Sequence, residues 1–380
     1  MTDLGPNEDL IGVPGSRAAL ATPALILNME ALERNLAALA KFCGGAGMRM
    51  RPHAKSHKCS EIAKRQIAGG AVGVCCTTLK EARVMIEAGV PGVLVTSPVV
   101  GAQRVNKIIS LIKRGEGVKL VVDNPVNHLE LAEAAEREGL TLDLLVDLDV
   151  GMHRTGVASP VAAVELAKQV NDTPSTNYRG LQAYSGMVQH IESYEERRET
   201  YGAQMDILRD TIANLTEARL KPDIVSGGGT GTHDIDREFG LFTEHQTGSY
   251  ALMDVEYNNV ELRKDGAHPF ETSLFMQCSV VSNNAEGIVT INGGFKCFAT
   301  DGPLPEVHDT DLPESTYSRF GDEHGKITLA PGSNRKPALG SPVTLITPHC
   351  DPTINLHDYL HCVRGDKLVA IWKIDARGVL

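Results

Sequence analysis

From residue 22 to about residue 250 the chain repeats one unit: a short apolar run, a turn, then a stretch whose apolar residues recur at helical spacing. The apolar runs lie at 24–27, 48–52, 72–76, 92–95, 119–122, 142–148, 178–184 and 224–225. Helical patterns at 29–42, 59–68, 79–88, 103–113, 126–138, 161–170 and 194–218 follow the first seven, and the eighth run enters Ser226-Gly227-Gly228-Gly229-Thr230-Gly231. Parallel strands need a crossover between them, usually a helix, and strands buried on both faces read as continuous apolar runs. Eight such beats predict an α/β fold, a (β/α)8 TIM-like barrel, with a doubly wound open sheet as the alternative that the beat alone leaves standing. Beyond residue 256 the texture changes. Runs at 274–281, 287–291, 342–347 and 367–374 alternate with Gly, Pro, Asn and Asp turns, the pattern of an antiparallel β domain. The predicted division is a barrel over 22–255 and a C-terminal β domain over 256–380, which residues 1–21 are free to join.

Composition narrows the function classes. The 380 residues carry a formal net charge of −11 and no long basic run, which argues against a nucleic-acid groove or an anionic membrane surface as partner. No segment approaches the ~20 apolar residues that span a bilayer. Residues 1–16 are polar, contain Asp3, Glu8 and Asp9, lack an apolar signal core, and read as a flexible lead-in. Eight scattered cysteines without a CxxC pair suit reduced, buried thiols in a cytoplasmic protein rather than a disulfide framework or a structural zinc site.

A barrel places its chemistry at the carboxyl ends of its strands, and Lys55, Thr77, Asp123, Asp149, Arg154 and Tyr184 fall there. Lys55 sits in Arg51-Pro52-His53-Ala54-Lys55-Ser56-His57-Lys58, where neighbouring cations would lower an ammonium pKa and favour a nucleophilic amine. A basic solvated turn is the competing reading, and Lys58, at the start of the next helix, is expected to face solvent. The glycine loop with Thr230 can present bare backbone amides and a hydroxyl to a phosphate, although it is neither a Walker motif nor a dinucleotide fingerprint. Gln246-Thr247-Gly248-Ser249-Tyr250 is a second small-residue loop at the next strand end, suited to the same phosphate or to a simple linker. Arg154 could hold a phenolate or carboxylate, or make a surface ion pair. His349 and Asp351, in Pro348-His349-Cys350-Asp351, are two apart. In an extended segment they face one way with Cys350 opposite, which suits Mn2+ or Mg2+ with open positions; were Cys350 the ligand instead, zinc would be favoured. His190, trailing the seventh run, is placed as a general base on a loop would be.

Together these pieces resemble the D-threonine aldolase family of fold-type III pyridoxal-phosphate enzymes, whose relatives include D-serine dehydratases and alanine racemases. The resemblance is carried by RPHAKSHK at 51–58, GVCCTTLKEA at 73–82, VDLDVGMHRTGV at 146–157, GLQAYSGMVQH at 180–190, SGGGTGT at 226–232, TGSYALMD at 247–254, DEHG at 322–325 and PHCDPTINLHD at 348–358. It implies an alanine racemase-like fold, pyridoxal 5'-phosphate on Lys55 as a Schiff base, and a divalent metal on His349 and Asp351. Arg154, Tyr184, Gly228, Gly229, Thr230, Gly248, Ser249 and Tyr250 are then the further cofactor contacts, and His190 the base. It also implies a homodimer in which Asp322, in the loop Gly321-Asp322-Glu323-His324-Gly325, crosses to the other subunit. The implied reaction is retro-aldol cleavage of a D-β-hydroxy-α-amino acid to glycine and an aldehyde. Asp351 stands where the dehydratase branch carries cysteine, which favours the aldolase branch. Ser185 and the segment 295–301 depart from the family pattern and could line the substrate pocket. Alternatives are a D-3-hydroxyaspartate aldolase, a D-serine or D-3-hydroxyaspartate dehydratase acting by β-elimination, and a non-catalytic pyridoxal-phosphate carrier barrel.

Overall fold

The computed structural model describes residues 4–333, 335 and 337–378. The first strand, β1 (Ala24–Asn28), is followed by eight parallel strands: β2 (Arg49–Met50), β3 (Cys75–Cys76), β4 (Leu94–Val95), β5 (Lys119–Val122), β6 (Leu142–Asp147), β7 (Thr176–Ala183), β8 (Ile224–Gly227) and β9 (Glu244–His245). Their order is β2-β9-β8-β7-β6-β5-β4-β3. The two ends of this row meet: His53 bridges Cys75 in parallel, and the Cys75 N–H donates to the Pro52 carbonyl at 2.8 Å. The sheet therefore closes into a barrel. Its interior floor is charged, because buried Arg51 donates Nε to Glu244 Oε2 at 2.6 Å and Nη2 to Glu244 Oε1 at 3.0 Å. That bidentate pair joins β2 to β9, the first barrel strand to the last.

The outer helices start on polar caps that the sequence supplies locally. Thr78 and Glu81 form a reciprocal capping box on Leu79–Glu87. Asn124 and Ser159 cap Pro125–Arg137 and Pro160–Asp172, each with proline in its first turn. Their apolar faces pack into one continuous core with the barrel strands.

The remaining strands are β10 (Leu274–Ser282), β11 (Ile288–Ile291), β12 (Glu306–Val307), β13 (Thr316–Arg319), β14 (Gly325–Thr328), β15 (Pro342–Ile346), β16 (Tyr359–Arg364) and β17 (Lys367–Lys373). They form a second sheet in the order β13-β14-β11-β10-β1-β16-β17, with β15 pairing both β10 and β12. β1 corrects the sequence reading. It was counted as the first barrel strand, but it pairs antiparallel with β10 and parallel with β16 at the centre of the second sheet. The last barrel strand is the two-residue β9, too short to show as an apolar run. The lead-in read as flexible is also built into this sheet. Gly12 N–H donates to Leu368 at 2.8 Å, and the buried Asn7 amide bonds the Ala21 backbone and His361. Among the described residues no helix is long and apolar enough to cross a membrane.

Candidate active site

Lys55 lies just beyond β2 in the short turn Ala54–Ser56, where the His53 ring caps the turn by accepting the Lys55 N–H at 3.3 Å. Its Nζ forms a salt bridge with Asp351 from the β domain, so the two sheets meet at this amine. Burial works to lower the Lys55 ammonium pKa, but the Asp351 carboxylate and the Tyr184 phenol outweigh it and hold the pKa above the ordinary lysine value. This reverses the expectation of a lysine depressed by neighbouring cations, because the closest charge is an acid brought in from nearly three hundred residues away. Burial in turn works to raise Asp351, yet Lys55 and His349 hold it well below the usual carboxylate range. Lys58 is also not where the sequence placed it. It is buried, adopts a positive φ of 48°, and donates to Glu81 at 2.6 Å.

Lys55 borders a cavity of about 340 Å³ lined by His53, Thr96, Arg154, Gln182, Tyr184 and Gln246, among others. The Arg154 guanidinium stands 5.5 Å from the centre of the Tyr184 ring. Burial, followed by the charge of Lys55, keeps His53 well below the ordinary histidine pKa.

The second half of the site hangs on Asp254, a buried carboxylate that the sequence reading quoted within a motif but gave no role. Asp254 accepts the Tyr257 N–H at 2.9 Å, capping Val255–Asn258, and the Cys350 N–H at 2.7 Å. One carboxylate thus fixes both the turn that carries Glu256 and the turn that carries His349. The extended geometry expected for 349–351 is replaced: His349 is extended, but Asp351 lies in the first turn of the helix Cys350–Asn355. His349 Nδ1 meets Asp301 Oδ2 at 2.9 Å and Glu256 Oε2 at 3.9 Å, and Glu256 Oε1 meets His190 Nδ1 at 2.8 Å. Burial lowers His349, but Asp351, Asp254 and Asp301 carry its pKa above the ordinary value. The Lys55–Asp351 pair and the His349–Glu256–His190 contacts form one chain whose middle link, Asp351 to His349, is an attraction of charges rather than a bonded contact. Glu256 and Asp301 were missed as individual contacts. The one signal in the sequence that bears on Asp301 is the departure of segment 295–301 from the family pattern.

The two small-residue loops lie beside this chain. Ser249 Oγ is 3.4 Å from Asp351 Oδ1, and a Cβ on Gly248 would stand 3.3 Å from His53. Thr230 Oγ1 accepts the Tyr250 N–H at 3.1 Å, which links the loops to each other. The Tyr250 side chain turns away, however: it is buried and its hydroxyl accepts from Gln66 at 3.2 Å, so only its backbone faces Thr230. Gly228, Gly229 and Gly231 have no room for side chains. A Cβ would come within 2.5 Å of Asp236 and His245, 2.4 Å of Gln189 Oε1, and 2.0 Å of the Gln189 carbonyl, respectively. Ser185 is buried, and its hydroxyl has no partner among the described residues. Asp322 stands apart from all of these. It is exposed in the turn between β13 and β14, where its carbonyl accepts the Lys296 N–H at 3.1 Å.

Residues 27–253 match the family model described as alanine racemase, N-terminal domain, and residues 273–363 match a serine dehydratase domain. The chain is 38% identical over 361 residues to the D-threonine aldolase of Arthrobacter sp, spanning 95% of this chain and 94% of that one. It is 34% identical over 375 residues to the 3-hydroxy-D-aspartate aldolase of Paracoccus denitrificans strain Pd 1222, spanning 97% and 96%. The crystal structure of D-threonine aldolase from Filomicrobium marinum superposes with a TM-score of 0.91 at 36% identity, covering 97% of this chain and 98% of that one.

Proposed function

Because the chain belongs to the D-threonine aldolase family of fold-type III enzymes, we infer that its barrel mouth cleaves D-configured β-hydroxy-α-amino acids by a retro-aldol reaction, giving glycine and an aldehyde. The observation that carries this reading is the Lys55–Asp351 ion pair together with the His349–Glu256–His190 contacts, the two runs linked by the charges of Asp351 and His349. It links an amine, a candidate metal pair and a candidate base.

The family implies pyridoxal 5'-phosphate, and the residues present fit it. Lys55 offers an amine at the cavity edge for the aldehyde. The glycine turn, whose Gly229 and Gly231 N–H groups are held by Thr232 and Gln189, would shape the phosphate cradle, with Thr230, Gly248 and Ser249 beside it. Arg154, beside Tyr184 on the cavity wall, suits the phenolic oxygen. When bound, the cofactor supplies an electron sink for carbon–carbon bond cleavage.

His349 and Asp351 are the residues that would hold a divalent ion, Mn2+ or Mg2+. Imidazole and carboxylate together suit such a cation, and two protein ligands leave positions for water and substrate oxygen. Among the described residues no three His, Cys, Asp or Glu side chains are grouped as a complete metal site. The proposal asks for two protein ligands only, and Asp351 is paired with Lys55. With pyridoxal 5'-phosphate on Lys55, Asp351 would be the carboxylate available beside His349 to hold the cation. His190 has its Nδ1 on Glu256, and Nε2 is the nitrogen we assign to take the proton of the substrate β-hydroxyl. A carrier barrel has no use for His349 and Asp351, since both come from the second sheet's side of the molecule. All eight cysteines are free and buried, which supports a reducing, cytoplasmic setting.

Product analysis tests the reading. D-Threonine should give glycine and acetaldehyde, whereas 2-oxobutanoate would mean dehydration, and no product from D-threonine or D-3-hydroxyaspartate would mean a carrier. Mn2+ binding followed by electron paramagnetic resonance should be lost in Asp351→Ala while the cofactor stays bound. Full turnover in chain shown to be metal-free would remove the metal from the proposal.

A further inference from the structure

Beneath the glycine loop lies a set of polar side chains that the reaction above does not use. Thr232, Asp236, His245, Thr247 and Gln189 are all buried to 3% exposure or less. The Gly229 N–H donates to Thr232 Oγ1 at 3.1 Å, and the Thr232 hydroxyl donates to Asp236 Oδ2 at 2.7 Å. His245 Nε2 meets the same carboxylate oxygen at 2.9 Å, and its Nδ1 bonds the Thr247 hydroxyl. From the other side, Gln189 Oε1 accepts the Gly231 N–H at 3.0 Å, and its Nε2 donates to Thr232 Oγ1 at 3.3 Å. The buried Tyr201 hydroxyl also lies against Asp236 and Thr232.

We propose that Asp236 and His245, acting through Thr232 and Thr247, are positioning residues that hold turn 228–231 in the shape that receives a phosphate monoester, and so set the preference for the phosphorylated cofactor. The inference rests on the cofactor reading above. A buried carboxylate is a costly way to fill a core, and an apolar side chain of the same size would pack at lower cost. What an apolar side chain cannot supply is direction. The Thr232 hydroxyl can accept from the Gly229 amide only while its own proton points elsewhere, and Asp236 takes that proton. The pair also touches the turn directly. Gly228 has φ +72°, and a Cβ there would meet both Asp236 Oδ2 and His245 Nε2 at 2.5 Å. The glycine conformation and the acid–imidazole pair therefore specify each other. Thr247 extends the network into the second loop, two residues before Ser249, so both loops that flank the proposed phosphate are set from one buried point.

The test compares the affinities of the full-length chain for pyridoxal 5'-phosphate and for pyridoxal, which lacks the phosphate. Asp236→Asn and His245→Gln should lower the ratio of the two affinities by about tenfold or more, the scale of one buried hydrogen bond misdirected, with pyridoxal binding nearly unchanged. Thr232→Ser should keep the ratio and Thr232→Val should lose it, and this pair carries the test if the Asp236 variant fails to fold. A purely structural network would lower thermal stability, or weaken both ligands equally, and leave the ratio alone. Either result overturns the proposal. A wild-type chain that does not distinguish the two ligands overturns the phosphate assignment of the loop itself, and this inference with it.

Discussion

At the scale of single residues, the two lysines of the 51–58 segment part company. Lys55 ends on the cavity, whereas Lys58 is locked to Glu81, whose carboxylate also accepts the Thr77 N–H at 2.7 Å. Borohydride reduction of the chain loaded with pyridoxal 5'-phosphate should therefore fix the label on Lys55, read by peptide mass spectrometry, and label on Lys58 would refute the assignment. Lys58→Met should leave cofactor chemistry in place but destabilise the fold by about 3 kcal/mol in urea melts, because Glu81 is left as a buried charge without its cation. A second residue sets a pH dependence. His233 is buried between the rings of Phe42 and Phe270, and burial pushes its pKa down from 6.5 to about 4. Thr230, Asp234 and Asp236 oppose that shift, and His245 adds to it. A histidine depressed in the folded state contributes stability that is present above the unfolded pKa and lost as pH falls through the folded one. Unfolding free energy should therefore decline between pH 6.5 and about 4, with His233 contributing up to about 3 kcal/mol of that slope at 1.36 kcal/mol per pKa unit. In His233→Gln the decline should be visibly shallower; an unchanged slope would assign it to other groups.

At the scale of elements, the glycine loop makes the sharpest prediction. Gly231 has no neighbour able to yield, because the obstructing atom is the Gln189 backbone carbonyl at 2.0 Å, whereas at Gly229 it is the end of the Gln189 side chain at 2.4 Å. Gly231→Ala should be the more damaging change, by roughly 1–3 kcal/mol in melts. Gly229→Ala should fold but weaken cofactor binding, because displacing Gln189 frees the Gly231 amide and disturbs Thr232. Equal effects from the two would mean that the loop relaxes as a whole. The same elements show what a sequence discloses. The apolar runs at 119–122, 142–148 and 178–184 announced β5, β6 and β7 because parallel strands are apolar on both faces. β1 has the same texture, and nothing local states which sheet it joins: its neighbours are β10 and β16, at residues 274–282 and 359–364. β9 has two residues and escapes any periodicity. Lys55, His349 and Asp351 were legible because their residue types in their motifs are rare in combination. Asp254, Glu256 and Asp301 were not, because an acid becomes informative only once folding shows which histidine or amide it holds.

At the scale of the whole molecule, the site joins the two sheets, yet Asp322 lies outside it. This residue is exposed on the β13–β14 turn and makes no hydrogen bond or ion pair to the Lys55 contact chain among the described residues. If Asp322 contributes to cleavage, it must do so on another copy. We therefore expect a homodimer in which each β13–β14 turn reaches the partner's barrel mouth, the isologous arrangement that twofold symmetry produces. Complementation decides the matter. Lys55→Ala and Asp322→Ala chains should each be inactive or nearly so alone. In a hybrid dimer, one of the two sites combines an intact Lys55 with an intact Asp322 supplied from across the interface. Random reassortment makes half of the dimers hybrid, so the mixture should recover about a quarter of wild-type turnover. If Asp322 served its own chain, every site in every dimer would lack one residue or the other, and mixing would restore nothing. A fully active Asp322→Ala chain, or full activity in a monomer followed by sedimentation, would remove the residue and the crossing turn from the mechanism together.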